Sequence, residues 1–249
     1  MKLYNKKIIL LGALALGIAS IASTGTVLAE EDKPTADASV ALLSKYVWRG
    51  YALSKDSLVI QPSLTVGYKG FAANLWGNLD TDQKGASDDS FNWNETDFTL
   101  SYDGAYEKLG YSIGYIYYDL DDANDTQEIY AGLSYDIILS PSITVYKDIA
   151  NIPGYYINLG ISHSFPITDK YALDLGASAG YYNYSDNDYS ALHDGLLSAS
   201  MTFPVNEYLS VTPEIHYSFP LSDDADNDAG TGTGIDSEFY GGLSASFAF

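Results

Sequence analysis

The chain has 249 residues, no cysteine, and 33 acidic against 12 basic side chains, giving a formal charge of −21. Phosphate is repelled by such a surface, so nucleic acid is excluded as a partner. Without cysteine, a disulfide, a thiolate metal site and lipid attachment at a cysteine are excluded too. The 23 tyrosines, 9 phenylalanines and 3 tryptophans exclude a disordered acidic chain, which lacks apolar surface of this kind.

The first element read in chain order is a leader. Lys2, Lys6 and Lys7 precede an apolar run from Ile8 to Ile21, and Val27-Leu28-Ala29 is a small-residue cleavage pattern before Glu30. This is a cleavable secretory signal peptide over 1–29. Its three lysines and no acid move the formal charge of the remainder to −24. After it, no run of about eighteen apolar residues follows, so no transmembrane helix is expected. Residues 30–38 are polar and contain Pro34, and read as a short periplasmic lead.

From there the chain alternates with period two. Twelve strands are expected, at 39–49, 58–68, 71–80, 95–105, 109–118, 127–138, 142–149, 155–165, 171–182, 191–203, 208–219 and 237–249. The alternation is clearest in Leu64, Val66, Tyr68; in Tyr111, Ile113, Tyr115, Tyr117; and in Ile129, Ala131, Leu133, Tyr135. Ser, Thr, Gly, Asn and Asp fill the intervening places. Apolar side chains on one face and small polar ones on the other suit lipid outside and water inside.

The connections alternate as well. Those at 69–70, 106–108, 140–141, 166–170 and 204–207 are short; those at 81–94, 119–126, 185–190 and 220–236 are longer and acidic, with 149–154 a short exception. Short periplasmic turns with longer outer loops distinguish a closed antiparallel barrel from a soluble sandwich, which has no reason to segregate loop lengths. The expectation is an all-β, single-domain transmembrane β-barrel over 30–249. An even strand number fits closure, and the abundant tyrosine fits interfacial girdles.

The last strand alternates to the final residue, with Phe239, Gly241, Leu243, Ala245, Phe247 and Phe249 on one face. Termini usually fray in water. Phe247 and Phe249 therefore read as an assembly signal, recognised by the barrel-assembly machinery through the C-terminal strand.

Chemistry-bearing residues are sparse. His163, His193 and His216 lie on strands or their edges, without a G-x-S-x-G elbow or an H-E-x-x-H motif, so an outer-membrane hydrolase is the weakest reading. Asp224, Asp226 and Asp228 have calcium-loop spacing, but Ala229 and Ile235 stand where such a loop needs glycine and glutamate. Together with Asp119, Asp121, Asp122 and Asp125 they read as solvated acidic loops. No metal site and no cofactor are expected.

A basic residue facing lipid at the bilayer midplane costs about 2–4 kcal/mol, and an acid less. The acids expected on the inward face are Asp97, Asp103, Glu128, Asp136, Asp148, Asp174, Asp194, Glu214 and Glu238, with His216, against the bases Lys45 and Arg49. An acid-rich lumen favours cations. Arg49, at the end of the first strand among Tyr46, Trp48 and Tyr51, either bridges lumen carboxylates, lines a constriction or closes the rim.

Ser44-Lys45-Tyr46-Val47-Trp48-Arg49-Gly50-Tyr51, with Gln61-Pro62-Ser63-Leu64, Leu75-Trp76-Gly77 and Glu128-Ile129-Tyr130-Ala131-Gly132-Leu133, resembles the TorF porin family of proteobacterial outer membranes. The resemblance covers essentially all of 30–249. It implies a barrel in the Gram-negative outer membrane, surrounded by lipid, and supplies neither a substrate nor catalytic residues. The function expected is passive diffusion of small solutes, with a preference for cations and no enzymatic activity. The alternative is a structural or adhesive barrel with a plugged lumen and cation-binding acidic loops.

Overall fold

The computed structural model describes residues 33–83, 91–121, 123–185, 188–227 and 234–249; the expected signal peptide lies outside them. Among the described residues, twelve long strands make the wall. They are β1 (Thr35–Leu43), β4 (Val59–Tyr68), β5 (Phe71–Asp80), β6 (Asn92–Tyr106), β7 (Leu109–Leu120) and β8 (Thr126–Tyr135). The ring continues through β9 (Ser142–Asp148), β10 (Gly154–Pro166), β11 (Ala172–Tyr184), β12 (Tyr189–Met201), β14 (Leu209–Pro220) and β15 (Glu238–Ala248). Short pieces complete the set: β2 (Val47–Trp48), β3 (Tyr51–Ala52), β13 (Phe203–Pro204) and one helical turn, α1 (Asp223–Asn227).

Each wall strand pairs antiparallel with the next, and β1 pairs with both β4 and β15. The sheet is therefore a closed twelve-stranded antiparallel barrel without a free edge, as a membrane wall must be.

Period-two alternation sets what each face meets. Leu64, Val66, Leu75, Leu100, Ile113, Ile129, Leu159 and Leu197 are exposed on the outside. Gln61, Asn74, Asn78, Thr144, Asn158, Ser218 and Ser244 are buried on the inside. That is an apolar belt around a polar lumen. Tyrosine serves both faces: Tyr68, Tyr106, Tyr135 and Tyr208 are exposed, whereas Tyr118, Tyr146, Tyr156, Tyr182 and Tyr240 are buried.

Among the described residues, two β-bulges interrupt the alternation. Asn78 pairs with Glu95 and Leu79 with Trp93, so Asn94 is the extra residue and Asn94 and Glu95 are both buried. On β12, Tyr181 pairs with Leu192 and Ala179 with Gly195, and the consecutive His193 and Asp194 are both buried. Bulges re-aim side chains in this way.

The first strand differs from expectation. It runs from Thr35 to Leu43 rather than 39–49, so the end of the expected periplasmic lead belongs to the wall. Residues 45–52 do not extend it; they form a hairpin, β2 and β3, inside the barrel. Arg49 (φ 46°) and Gly50 (φ 82°) are its two turn residues, both left-handed. This is the two-residue hairpin geometry whose twist matches the flanking strands. Lys69 (φ 51°) and Gly70 (φ 83°) make the same turn between β4 and β5, at the short-turn end. One local sequence pattern, basic residue then glycine, thus serves once as a rim turn and once as the tip of an inserted loop.

Candidate functional site

The inserted segment, 44–58, connects β1 to β4 at the long-loop end. Its closing contacts are local: Leu53 N donates to Tyr46 O at 2.9 Å and Tyr46 N to Ser54 Oγ at 2.7 Å. The Tyr46 ring lies 5.6 Å from that of Trp76 on β5, which is only 2 % exposed. Lys45 Nζ reaches Glu238 on β15 in a short ion pair and Asp56 at 2.6 Å. Burial alone would lower the Lys45 pKa, but the two carboxylates outweigh it and raise it. Asp56, in turn, is held below the usual carboxylate range by Lys45.

At the tip, the Arg49 guanidinium forks onto Glu128 of β8: Nη1 to Oε1 and Nη2 to Oε2, both 2.7 Å. The Tyr118 hydroxyl donates to the same Oε2 at 2.9 Å. The guanidinium carbon lies 4.4 Å from the ring centre of Trp48, 4.7 Å from Tyr146 and 4.4 Å from Tyr156. Each such contact contributes about 0.5–2 kcal/mol, more when desolvated. Arg49 is 4 % exposed. Burial lowers its pKa, but the Glu128 carboxylate more than restores it, so the group stays charged.

The backbone of the tip is held as well. His193 Nε2 lies 3.0 Å from the Arg49 carbonyl oxygen, and Nδ1 lies 2.7 Å from the Tyr189 hydroxyl. A carbonyl only accepts, so Nε2 carries the hydrogen and Nδ1 of the neutral ring accepts from Tyr189. The Tyr156 hydroxyl donates to Asp194 at 2.8 Å. From the neighbouring connection, α1 turns Ala225 inward and Ile235 packs beside Tyr51; both are buried.

The expected site residues divide into groups. Lys45, Arg49, Glu128, Asp194 and Glu238 converge on the inserted loop. Asp148 faces inward, but its oxygens accept from Thr126 Oγ1 and from the amides of Ala150 and Ile152, which orders the turn after β9. Glu214 accepts from Ser244 and from His216 Nε2 at 2.9 Å, and the His216 ring stacks on Tyr240. Asp97 Oδ1 and Asp174 Oδ1 are buried without a hydrogen-bond partner, and Asp103 accepts from Ser101. Asp136 corrects the expectation: it follows the end of β8 in an exposed short turn, outside the wall. Asp224 and Asp226 stand on α1, while Asp122, Asp228 and Ala229 lie outside the described residues.

Trp48, Tyr118, Tyr146 and Tyr156 are not among the expected site residues; His193 is, but as a lone histidine on a strand rather than as a partner of the Arg49 carbonyl. Parity with Thr144 and Asp148 was enough to turn Tyr146 inward; nothing local marked its guanidinium partner. His193 and Asp194 share a face only because of the bulge.

The lumen is consequently uneven. At the long-loop end the inserted hairpin meets Trp76, Tyr118 and Tyr156, all buried. Toward the short-turn end the inward positions include the small Ser39, Thr65, Ser101, Ser164, Gly176 and Ser200, each part-exposed, with the carboxyl groups of Asp103, Asp174 and Glu214 among them.

A sequence profile of the family Gcw_chp, described as a bacterial protein of unknown function, matches residues 29–206. The chain belongs to this family. The match includes Trp48, Arg49, Glu128, Tyr146, Tyr156 and His193 and stops short of β14, α1 and β15. No curated protein matches the chain. Among solved structures, the KdgM porin, determined in complex with disordered oligogalacturonate, is similar at 10 % identity and TM-score 0.54, covering 86 % of this chain and 99 % of that one. The NanC porin is similar at 12 % identity and TM-score 0.55, covering 86 % and 98 %. An outer-membrane channel from Pseudomonas putida F1 follows at 6 % identity and TM-score 0.51, covering 87 % and 94 %. At such identities the likeness is one of fold: this Gcw_chp chain shares the closed barrel of these porins.

Proposed function

We propose that the protein is an outer-membrane, porin-like channel for diffusion of small solutes, without enzymatic activity, whose lumen is governed by the loop that Arg49 latches to Glu128. The observation that carries this reading is the loop itself, folded into a twelve-stranded barrel and held there by polar and ionic contacts rather than by a continuous strand pairing. Eight strands suffice for wall side chains to fill a barrel interior. Twelve leave a wider bore, here lined by polar side chains, many of them small, over its short-turn half. The resemblance to the TorF porin family and the shared fold of the KdgM and NanC porins support the same reading.

Cation preference follows from the charge balance. Asp97, Asp103, Glu128, Asp174, Asp194, Glu214 and Glu238 face Lys45 and Arg49, and an excess of fixed carboxylates concentrates cations in a low-dielectric bore. Lipid is the expected surrounding, the leader the expected route of export, and the C-terminal strand the element the barrel-assembly machinery would recognise. A second reading, a permanently plugged structural barrel, is favoured by the burial of the whole Arg49–Glu128 pair. Planar-bilayer recording of purified protein separates the two: discrete current steps support the channel, and silence under all voltages supports the plug.

A further inference from the structure

The surroundings of Arg49 have the composition of a ligand site. Two carboxylate oxygens of Glu128 meet two guanidinium nitrogens in parallel, and the Tyr146 and Tyr156 rings cover the cation. All three wall residues stand on adjacent strands, β8, β9 and β10, of a closed sheet, so the cage is pre-organised whether or not Arg49 is in it. The occupant, by contrast, comes from a connection 79 residues away in sequence and is carried by a non-glycine residue in the left-handed region. Below the cage, the part-exposed Tyr130 ring lies 5.5 Å from Tyr146 and continues the aromatic surface toward the open half of the bore.

We propose that Glu128, Tyr146 and Tyr156 form a receptor for guanidinium-bearing solutes, which Arg49 fills at rest and a solute guanidinium displaces. The chemistry selects the class. A planar fork satisfies both carboxylate oxygens and stacks on the rings, whereas an ammonium offers a point charge without the second parallel bond. Anions are rejected by Glu128. Displacement frees the loop tip, and the opening that follows rests on the channel reading; binding does not.

The test uses agmatine as the guanidinium probe and putrescine as the matched diamine. In detergent-folded Arg49→Ala protein the cage is vacant, and calorimetry should show agmatine binding at least about tenfold more tightly than putrescine, the difference lost when Glu128→Gln is added. In wild-type bilayers, agmatine but not putrescine should lengthen open times. Equal binding of the two probes to a folded Arg49→Ala protein, or agmatine binding indifferent to Glu128→Gln, would overturn the proposal while leaving a conducting channel intact. Selective, Glu128-dependent binding in a protein that never conducts would uphold the receptor and sink the channel. If Arg49→Ala does not fold, wild-type tryptophan emission decides: agmatine should change it through Trp48, an effect absent in Trp48→Phe, and no change overturns the proposal.

Discussion

Phe249 and Ala36 exchange both of their backbone hydrogen bonds, Phe249 N to Ala36 O and Ala36 N to Phe249 O, each 2.9 Å. The side chain of Phe249 is 64 % exposed on the outer face, and its ring lies 5.5 Å from that of Phe247. The last residue is thus part of the seam that closes β15 onto β1. Deleting Phe249 removes two seam bonds and an apolar anchor. The expected outcome is a reduced yield of the compact, heat-modifiable species in membranes. Unchanged yield and gel mobility would show that the seam closes without it.

Breaking the latch from the wall side is the second prediction. Glu128→Gln leaves the Arg49 charge enclosed by aromatic rings without its ion-pair partner, and removing one partner of a buried pair costs about 3–5 kcal/mol. The barrel has an alternative to unfolding, since the loop can leave the lumen. Conductance should therefore rise while the far-ultraviolet β signature stays. A variant as closed as the wild type would mean that the pair does not hold the loop.

Gly50 makes the third. A Cβ there would sit 2.5 Å from Ile235 Cδ1 and 3.0 Å from Asp194 Cβ, on a backbone with φ 82°. Gly50→Ala should displace the hairpin tip and raise conductance as Glu128→Gln does. Adding Ile235→Ala relieves the nearest clash but not the backbone strain, so it should restore closure only in part. Full restoration would assign the whole effect to packing.

For selectivity, Asp97 and Asp174 are the informative acids, because each has a buried carboxylate oxygen without a partner. Asp97→Asn with Asp174→Asn replaces two lumen carboxyl groups and leaves the latch intact. The reversal potential in a salt gradient should move from the cation side toward zero. An anion-selective wild type would invert the assignment of the lumen charge.

The pH dependence of the loop base follows from Lys45 and Asp56. Lys45 lowers the Asp56 pKa, so this contact is complete above the ordinary carboxylate range and is lost as pH falls through the depressed value. Asp56 is exposed, and salt screens the pair. Acid-induced loosening should therefore begin below the usual carboxylate range at low ionic strength. It should shrink in Asp56→Asn and at molar salt. An onset near neutrality would point to other groups.

The alternation of Leu64, Val66 and Tyr68, of Tyr111 to Tyr117 and of Phe239 to Phe249 determined the strands and their faces, because a strand's side-chain period is two wherever it pairs. Loop lengths determined which ends of the strands adjoin, and hence the closed ring. The fate of Lys45 to Tyr51 was not legible in this way. Its alternation is that of a strand, and only the supply of partners decides whether it extends β1 or turns into the lumen. β1 already spans the wall from Thr35, so the segment pairs with itself and is held by Glu128, Tyr146, Tyr156 and His193, which lie 79 to 144 residues further along the chain. The bulges that turn Glu95 beside Asn94, and Asp194 beside His193, come likewise from register against a neighbouring strand. Such contacts exist only once closure brings distant strands to one side of the same bore, and no local pattern in the chain encodes that convergence.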